Sequence, residues 1–149
     1  MASGEAIRAR IMPRPRQTLD LIPDECWELL RGTSIGRVVF TMRALPAIRP
    51  VNHVIDGHTI VIRSHLGSAI TGHSSRDGAV VCYEADDINP VQHTGWSVIA
   101  TGMARLVTDP DAISRYQQML EPWVARSMDQ VIAITPGTIT GIRLTGRCQ

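Results

Sequence analysis

The sequence predicts a mainly β domain, an antiparallel barrel with flanking helices, on three observations. About seven short runs are rich in β-branched and aromatic residues. The dipeptide Asp56-Gly57 between two such runs is a strong hairpin signal. Strand runs follow one another without the regular strand–helix alternation of a parallel sheet.

In chain order, residues 1–18 form an expected flexible arm. Arg8, Arg10, Arg14 and Arg16 stand there against Glu5 alone, and Pro13 and Pro15 punctuate it. Such an arm can touch nucleic acid, but a nucleic-acid-binding domain is expected to be basic in its folded part. Here the remainder carries eleven arginines against thirteen acids, so a Pro-punctuated leader is the better reading and nucleic acid is not an expected partner. Residues 19–149 are expected to form one domain, because the length suits a single core and no linker or internal repeat interrupts it.

Pro23 to Gly32 predicts a short helix: Asp24 and Glu25 fill the first turn, Arg31 the last, and Gly32 stops it. Ile35–Thr41 and Pro46–Ile55 read as strands. His58–Ser64 returns from the hairpin, with Ile60 and Ile62 on one face and Thr59, Val61 and Arg63 on the other. Leu66–Ser75 reads as a loop with a helical turn. Gly78–Ala85 is nearly continuously apolar, the pattern of a strand buried on both faces. Trp96–Val107 is long for one strand, and Gly102 predicts a bulge within it. Asp109-Pro110 is an N-cap followed by proline at the first helical position, opening a helix to about Leu120. Its inward stripe is Ile113, Tyr116, Gln117 and Leu120. Val131–Ile134 and Thr138–Leu144 complete the count as two further strands.

Composition excludes several functions. No apolar run approaches the ~18–20 residues of a membrane helix, and no secretory signal is seen. With three widely spaced cysteines, Cys26, Cys82 and Cys148, a cytoplasmic protein without disulfides is expected. The five histidines make no HxH or HExxH pattern, so no metal is expected. No serine lies in a G-x-S-x-G context, and Cys82, in mid-strand, reads as a buried structural thiol. Glu84, Asp86 and Asp87 read as a solvated strand exit. The glycines form neither a phosphate-binding Walker loop nor a dinucleotide fingerprint. All fifteen basic residues are arginine, so a phosphate must be held by guanidinium forks, hydroxyls or backbone N–H groups.

What remains is the hairpin from Pro46 to Ser64 and the segment after it. Arg49, Pro50, Asn52 and His53 crowd polarity into a core-like strand. That strand alone leaves two readings open, a solvent-facing edge or a contact to the rim of a planar heterocycle, which the amide of Asn52 suits. The returning strand ends Arg63-Ser64-His65-Leu66-Gly67-Ser68, and this gathers a fork, two hydroxyls and a glycine where the chain leaves the sheet. Those groups make an anion cradle. Gly95-Trp96-Ser97 adds a flat aromatic among small residues at another strand start.

The ordered set Gly36-Arg37-Val38, Pro46-x-Ile48-x-Pro50-Val51-Asn52-His53, Arg63-Ser64 with Gly67, Tyr83-Glu84-x-Asp86 and Gly95-Trp96-Ser97-Val98 with Gly102 resembles the pyridoxamine 5′-phosphate oxidase-like flavin-binding family. The nearest branch is the short nitroimidazole-resistance-like group, and the likeness runs from about Cys26 to Leu144. It implies a split β-barrel of Greek-key type, a homodimer with FMN in two grooves at the interface. It places Arg49, Pro50, Val51, Asn52 and His53 along the isoalloxazine and Arg63, Ser64, Gly67 and Ser68 at the phosphate. It brings Trp96 and Ser97 to the flavin, from the same or from the partner copy. The activity implied is an oxidoreductase passing hydride between the flavin and a small molecule, though no catalytic residue is identified. Two positions depart from the family: Ala69 stands where a lysine is common, and Arg63 where the nitroimidazole-resistance group often has histidine. A deazaflavin in place of FMN, and a non-catalytic flavin-binding or interaction protein, are the alternatives.

Overall fold

A computed structural model describes residues 17–72, 77–121 and 130–146. Most of the expected arm, residues 1–16, lies outside these. The elements are β1 (Thr18–Leu21), α1 (Pro23–Arg31), β2 (Ile35–Met42), β3 (Leu45–Asp56), β4 (Thr59–Ser64), α2 (Gly67–Thr71), β5 (Ala79–Asn89), β6 (Thr94–Leu106), α3 (Pro110–Met119) and β7 (Gln130–Leu144). The strands lie in the order β1-β7-β4-β3-β2-β5-β6, and β7 pairs with β6 as well, closing an antiparallel barrel. The fold is the split β-barrel expected from the sequence.

β7 makes the closure through its length. Residues 130–134 pair with β4 and residues 141–144 with β1, while its other edge runs along β6. The two expected C-terminal strands are therefore one. Pro136 and Gly137 look like a break, yet Pro136 stands opposite Gly102, where the β6–β7 register shifts. A proline, with no N–H for the ladder, is tolerated at such an irregularity. The bulge expected at Gly102 is present. The strand count of seven holds among the described residues with a different membership, since β1 begins at Thr18, inside the expected arm.

Alternation along the strands sorts the interior. Val38, Phe40, Ile60, Ile62, Tyr83, Val98, Ala100, Ile132 and Ile134 are buried within the barrel, and Cys26, Trp27 and Leu30 of α1 pack onto them. A smaller cluster lies outside the wall, where Tyr116 and Leu120 of α3 cover Val61 and Val131. β4 is consequently the strand with both faces buried: Ile60, Val61 and Ile62 are all at 0% exposure. β5, expected to be buried on both faces, leaves Val80 at 64% exposure, because no helix covers its outer side among the described residues. On α3 the inward stripe is Ile113, Tyr116 and Leu120; Gln117 falls on its rim and is exposed.

Local chemistry fixes the ends. The Glu25 carboxylate accepts the Ile22 N–H at 3.1 Å, and Asp109 accepts the Ala112 N–H at 2.9 Å, each closing the first turn of a helix. The β3–β4 turn centres on Gly57-His58 with Gly57 at φ +61°, so Asp56 stays in the strand, paired with Thr59. Its carboxylate there accepts the Tyr116 hydroxyl at 2.5 Å, pinning α3 to the hairpin. Among the described residues no helix is long and apolar enough to cross a membrane.

Candidate functional site

β3 carries the first group of expected site residues, and its alternation divides them. Asn52 shares the outer face with Val54, under α3, and its Nδ2 donates to the Glu121 carbonyl at 2.9 Å. Pro50 is exposed on the same face, opposite Arg37 of β2. Arg49 is exposed, and among the described residues it reaches only its neighbour's carbonyl, Ile48 O, at 2.7 Å. Val51 packs on the barrel core.

His53 turns inward and is 3% exposed. Its Nε2 lies 2.8 Å from Leu30 O and its Nδ1 makes a very short bond to the Tyr83 hydroxyl. A carbonyl only accepts, so Nε2 carries the proton and Tyr83 donates to Nδ1. Burial, the largest cause, holds the imidazole below its ordinary 6.5, while the carbonyls of Leu30 and Thr33 draw it partly back. Burial likewise raises the Tyr83 phenol far above its usual range. Both ring nitrogens of His53 are thus engaged inside the core, so it ties α1, β3 and β5 together and does not face the groove that holds Asn52. Gly36 makes room for this pair, since a Cβ there would come within 2.3 Å of the Tyr83 hydroxyl.

At the end of β4, Arg63 lies beside Asn52, and both are held by the C-terminal end of α3. Arg63 Nη1 donates to Leu120 O at 3.0 Å, and its Nε is buried with no partner among the described residues. Ser64, 7% exposed, accepts the Leu66 N–H on Oγ at 3.1 Å and so shapes the turn into α2. Gly67 is buried against Gln130: a Cβ would meet its Oε1 at 2.2 Å. Ser68 is exposed on α2. Of the expected phosphate cradle, Ser68 is exposed and Arg63 is half-buried beneath the end of α3, while Ser64 and Gly67 set the backbone. A buried guanidinium N–H without an acceptor fits an anionic group at this corner.

Trp96 and Ser97 are not beside these residues. They begin β6, opposite Asp87 and Asp86 of β5 and Arg143 and Ile142 of β7, whereas Arg63 stands opposite Val131, twelve residues before Arg143 on β7. Trp96 instead forms one wall of a cleft of about 490 Å³ between α1 and the barrel, with Leu29, Ile35, Arg37, Asp86 and Asp87.

Beside that cleft, Glu84 and Asp86, expected at a solvated strand exit, are instead partly buried around a guanidinium. Arg37 Nη1 lies 3.1 Å from Glu84 and Nη2 lies 3.6 Å from Asp86, so one guanidinium serves two carboxylates. Burial first, then the hydrogen bond and charge of Asp86, push the Glu84 carboxyl up, against the pull of Arg37. The signal was present: Glu84 and Asp86 are two apart on a strand and therefore share a face. Cys82, on that face, is half-buried rather than buried, its Sγ 3.3 Å from Thr101 Oγ1. Of the other histidines, His58 stacks on Trp27 with ring centres 4.9 Å apart, and His73 lies outside the described residues. Among the described residues no three His, Cys, Asp or Glu side chains converge as metal ligands.

Residues 23–143 match the sequence profile of pyridoxamine 5′-phosphate oxidase. An uncharacterized protein of Mycobacterium tuberculosis is 48% identical over 132 residues, 87% of either chain. The FAD-binding protein of Mycobacterium smegmatis is 33% identical with a TM-score of 0.66, covering 84% of this chain and 96% of that one. A candidate pyridoxamine 5′-phosphate oxidase of Corynebacterium glutamicum is 30% identical with a TM-score of 0.74, covering 87% and 99%.

Proposed function

The chain belongs to the pyridoxamine 5′-phosphate oxidase family, and from that premise we propose that it is a cytoplasmic, FMN-dependent oxidoreductase of small molecules that works as a homodimer. The observation that carries the cofactor site is the Arg63 guanidinium, whose buried Nε lacks an acceptor at the edge of the β4–α2 turn. The FAD-binding relative supports a flavin, and FMN is the flavin that the family resemblance of the sequence implies.

In this reading Arg63 supplies the countercharge that the missing lysine would give, and the Ser68 hydroxyl donates to the phosphate. Gly67 lets α2 sit close against β7. Pro50 and Asn52 border the ring, Asn52 through the oxygen of its amide and Pro50 through its apolar face, with Arg49 at the open end. Val51, and His53 through Tyr83, hold β3 rigid beneath them. A bound flavin supplies hydride transfer, and the protein contributes binding, orientation and exclusion of water.

Trp96 and Ser97 of a second copy reach the phosphate end of such a site, because within one chain they lie twelve residues along β7 from the position opposite Arg63. The surface for that second copy is the outer face of β3, β2, β5, β6 and β7. Register places Ile48, Val39 and Cys82 in one row across it, with Val80, Ile99 and Ile142 on the same face. Val80, Ile48, Ile99 and Ile142 are 64%, 55%, 47% and 41% exposed, an apolar patch of the kind that marks an interface.

The test is the visible spectrum of the purified protein, followed by equilibration with FMN, FAD and a deazaflavin in parallel. The reading expects the two absorption bands of oxidised flavin, retention of FMN over the other two, and bleaching by a reduced nicotinamide under nitrogen. A colourless protein that takes up none of the three refutes it. Flavin retained without any turnover supports the non-catalytic alternative.

A further inference from the structure

The cleft beside α1 has a charge balance that bears on what can enter it. Arg37 is the one cation in its lining, and Glu84 and Asp86 both hold that guanidinium. Asp87 is exposed and has no partner among the described residues. Glu28, at the rim, pairs with Arg31 at 2.7 Å. The lining as a whole is therefore acidic, and it has no guanidinium to spare for an anion. Drawing Arg37 toward a phosphate would leave Glu84 and Asp86 facing each other without their countercharge. The chain has no lysine that could substitute.

The walls are apolar and aromatic. Trp96 is half-buried with its indole on the cleft, and Leu29 and Ile35 complete the sides. An indole face next to Asp87, the one lining carboxylate without a cation partner among the described residues, attracts an aromatic cation twice, through the ring quadrupole and through charge. The cleft also adjoins the strand assigned to the flavin ring. Ile35 pairs with Asn52 and Arg37 with Pro50, one strand spacing away.

We infer that this cleft is a substrate pocket that takes an aromatic cation, such as a protonated or quaternary nitrogen heterocycle, and rejects phosphate-bearing molecules. Its place in catalysis rests on the flavin reading above; its charge selection does not.

The experiment is calorimetric titration of the full chain, with and without bound flavin, using N-methylquinolinium as the cation and a quinoline sulfonate of similar size as the anion. Pyridoxamine 5′-phosphate is a third probe. The cation binds at least about tenfold more tightly than the sulfonate, and the phosphate gives no heat of binding. The double variant Asp86→Asn, Asp87→Asn brings the cation and sulfonate within about threefold of each other, with flavin content unchanged. Asp87→Asn alone, at an exposed position, gives a partial loss and guards against a folding artefact of the pair. Equal binding of cation and anion, binding of pyridoxamine 5′-phosphate, or a preference that survives the double variant overturns the inference. Flavin retained with no cation preference overturns it alone. A cation preference in a protein that takes no flavin upholds the charge selection and overturns the flavin reading.

Discussion

Replacing Tyr83 by phenylalanine removes one oxygen from the centre of the barrel and leaves its shape intact. The hydroxyl it deletes donates to Nδ1 of His53, whose other nitrogen is committed to Leu30 O. At 3% exposure His53 cannot turn to water, so the variant keeps a buried acceptor with nothing to accept. An orphaned buried polar group costs about 1–3 kcal/mol. Taking about 2 kcal/mol, and 2–4 °C per kcal/mol for a chain of this size, Tyr83→Phe melts roughly 4–8 °C below the wild type. Thermal unfolding by circular dichroism at one fixed protein concentration measures this, the concentration being fixed because the proposed dimer's melting point would depend on it. The same network sets a pH dependence. The His53 pKa is lowered in the folded state, so as pH falls the unfolded chain takes up the proton first. The contribution is complete above the ordinary value of 6.5 and is lost as the pH drops through the folded value. His53→Gln removes that slope. A Tyr83→Phe protein melting within a degree or so of the wild type would refute the hydrogen-bond assignment.

Other consequences are as direct. Arg43 and Ala44, at the tip of the β2–β3 hairpin, have φ of +51° and +62°, a conformation that suits Asn-Gly better. Ala44→Gly therefore raises stability by about 1 kcal/mol, seen as a higher denaturation midpoint with unchanged slope. Val80→Asp with Ile99→Asp puts charge on the exposed apolar face; on the proposed assembly, size-exclusion chromatography with light scattering finds a dimer for the wild type and a monomer for this variant. Gly36→Ala would force its methyl into Tyr83 and Glu84 O, costing about 1–3 kcal/mol by overpacking, readable in the same melts.

The parts of this protein written in short-range signals were legible in the sequence. Asp109-Pro110 opens α3, Gly102 marks the bulge in β6, and Asp56-Gly57 marks the hairpin to within one residue. The errors have a common physical origin in partners far along the chain. Thr18–Leu21 is too short to announce itself and is a strand because β7 offers it an edge. Pro136 reads as a break until Gly102, 34 positions earlier, is seen opposite it. β4 and not β5 is buried on both faces because α3 happens to lie over β4. At the candidate site, Arg63 and Ser68 stand out by residue type at a strand end, and the unpartnered Nε of Arg63 is a feature only the structure adds. His53 was not separable from its neighbours, because its partner Tyr83 is 30 residues away and only strand register brings the two together. The acidic cleft was hidden for the same reason, since Arg37 meets Glu84 only through the β2–β5 pairing.

The central claim is that Arg63 holds a flavin phosphate, and fluorescence titration of FMN into the wild-type protein and Arg63→Ala tests it. Two charge-assisted hydrogen bonds lost, together about 3 kcal/mol, weaken binding roughly 100-fold or more. Arg63→Lys, which keeps the charge without the fork, falls between, and circular dichroism shows all three folded. FMN binding at near wild-type affinity in a folded Arg63→Ala protein would contradict the account.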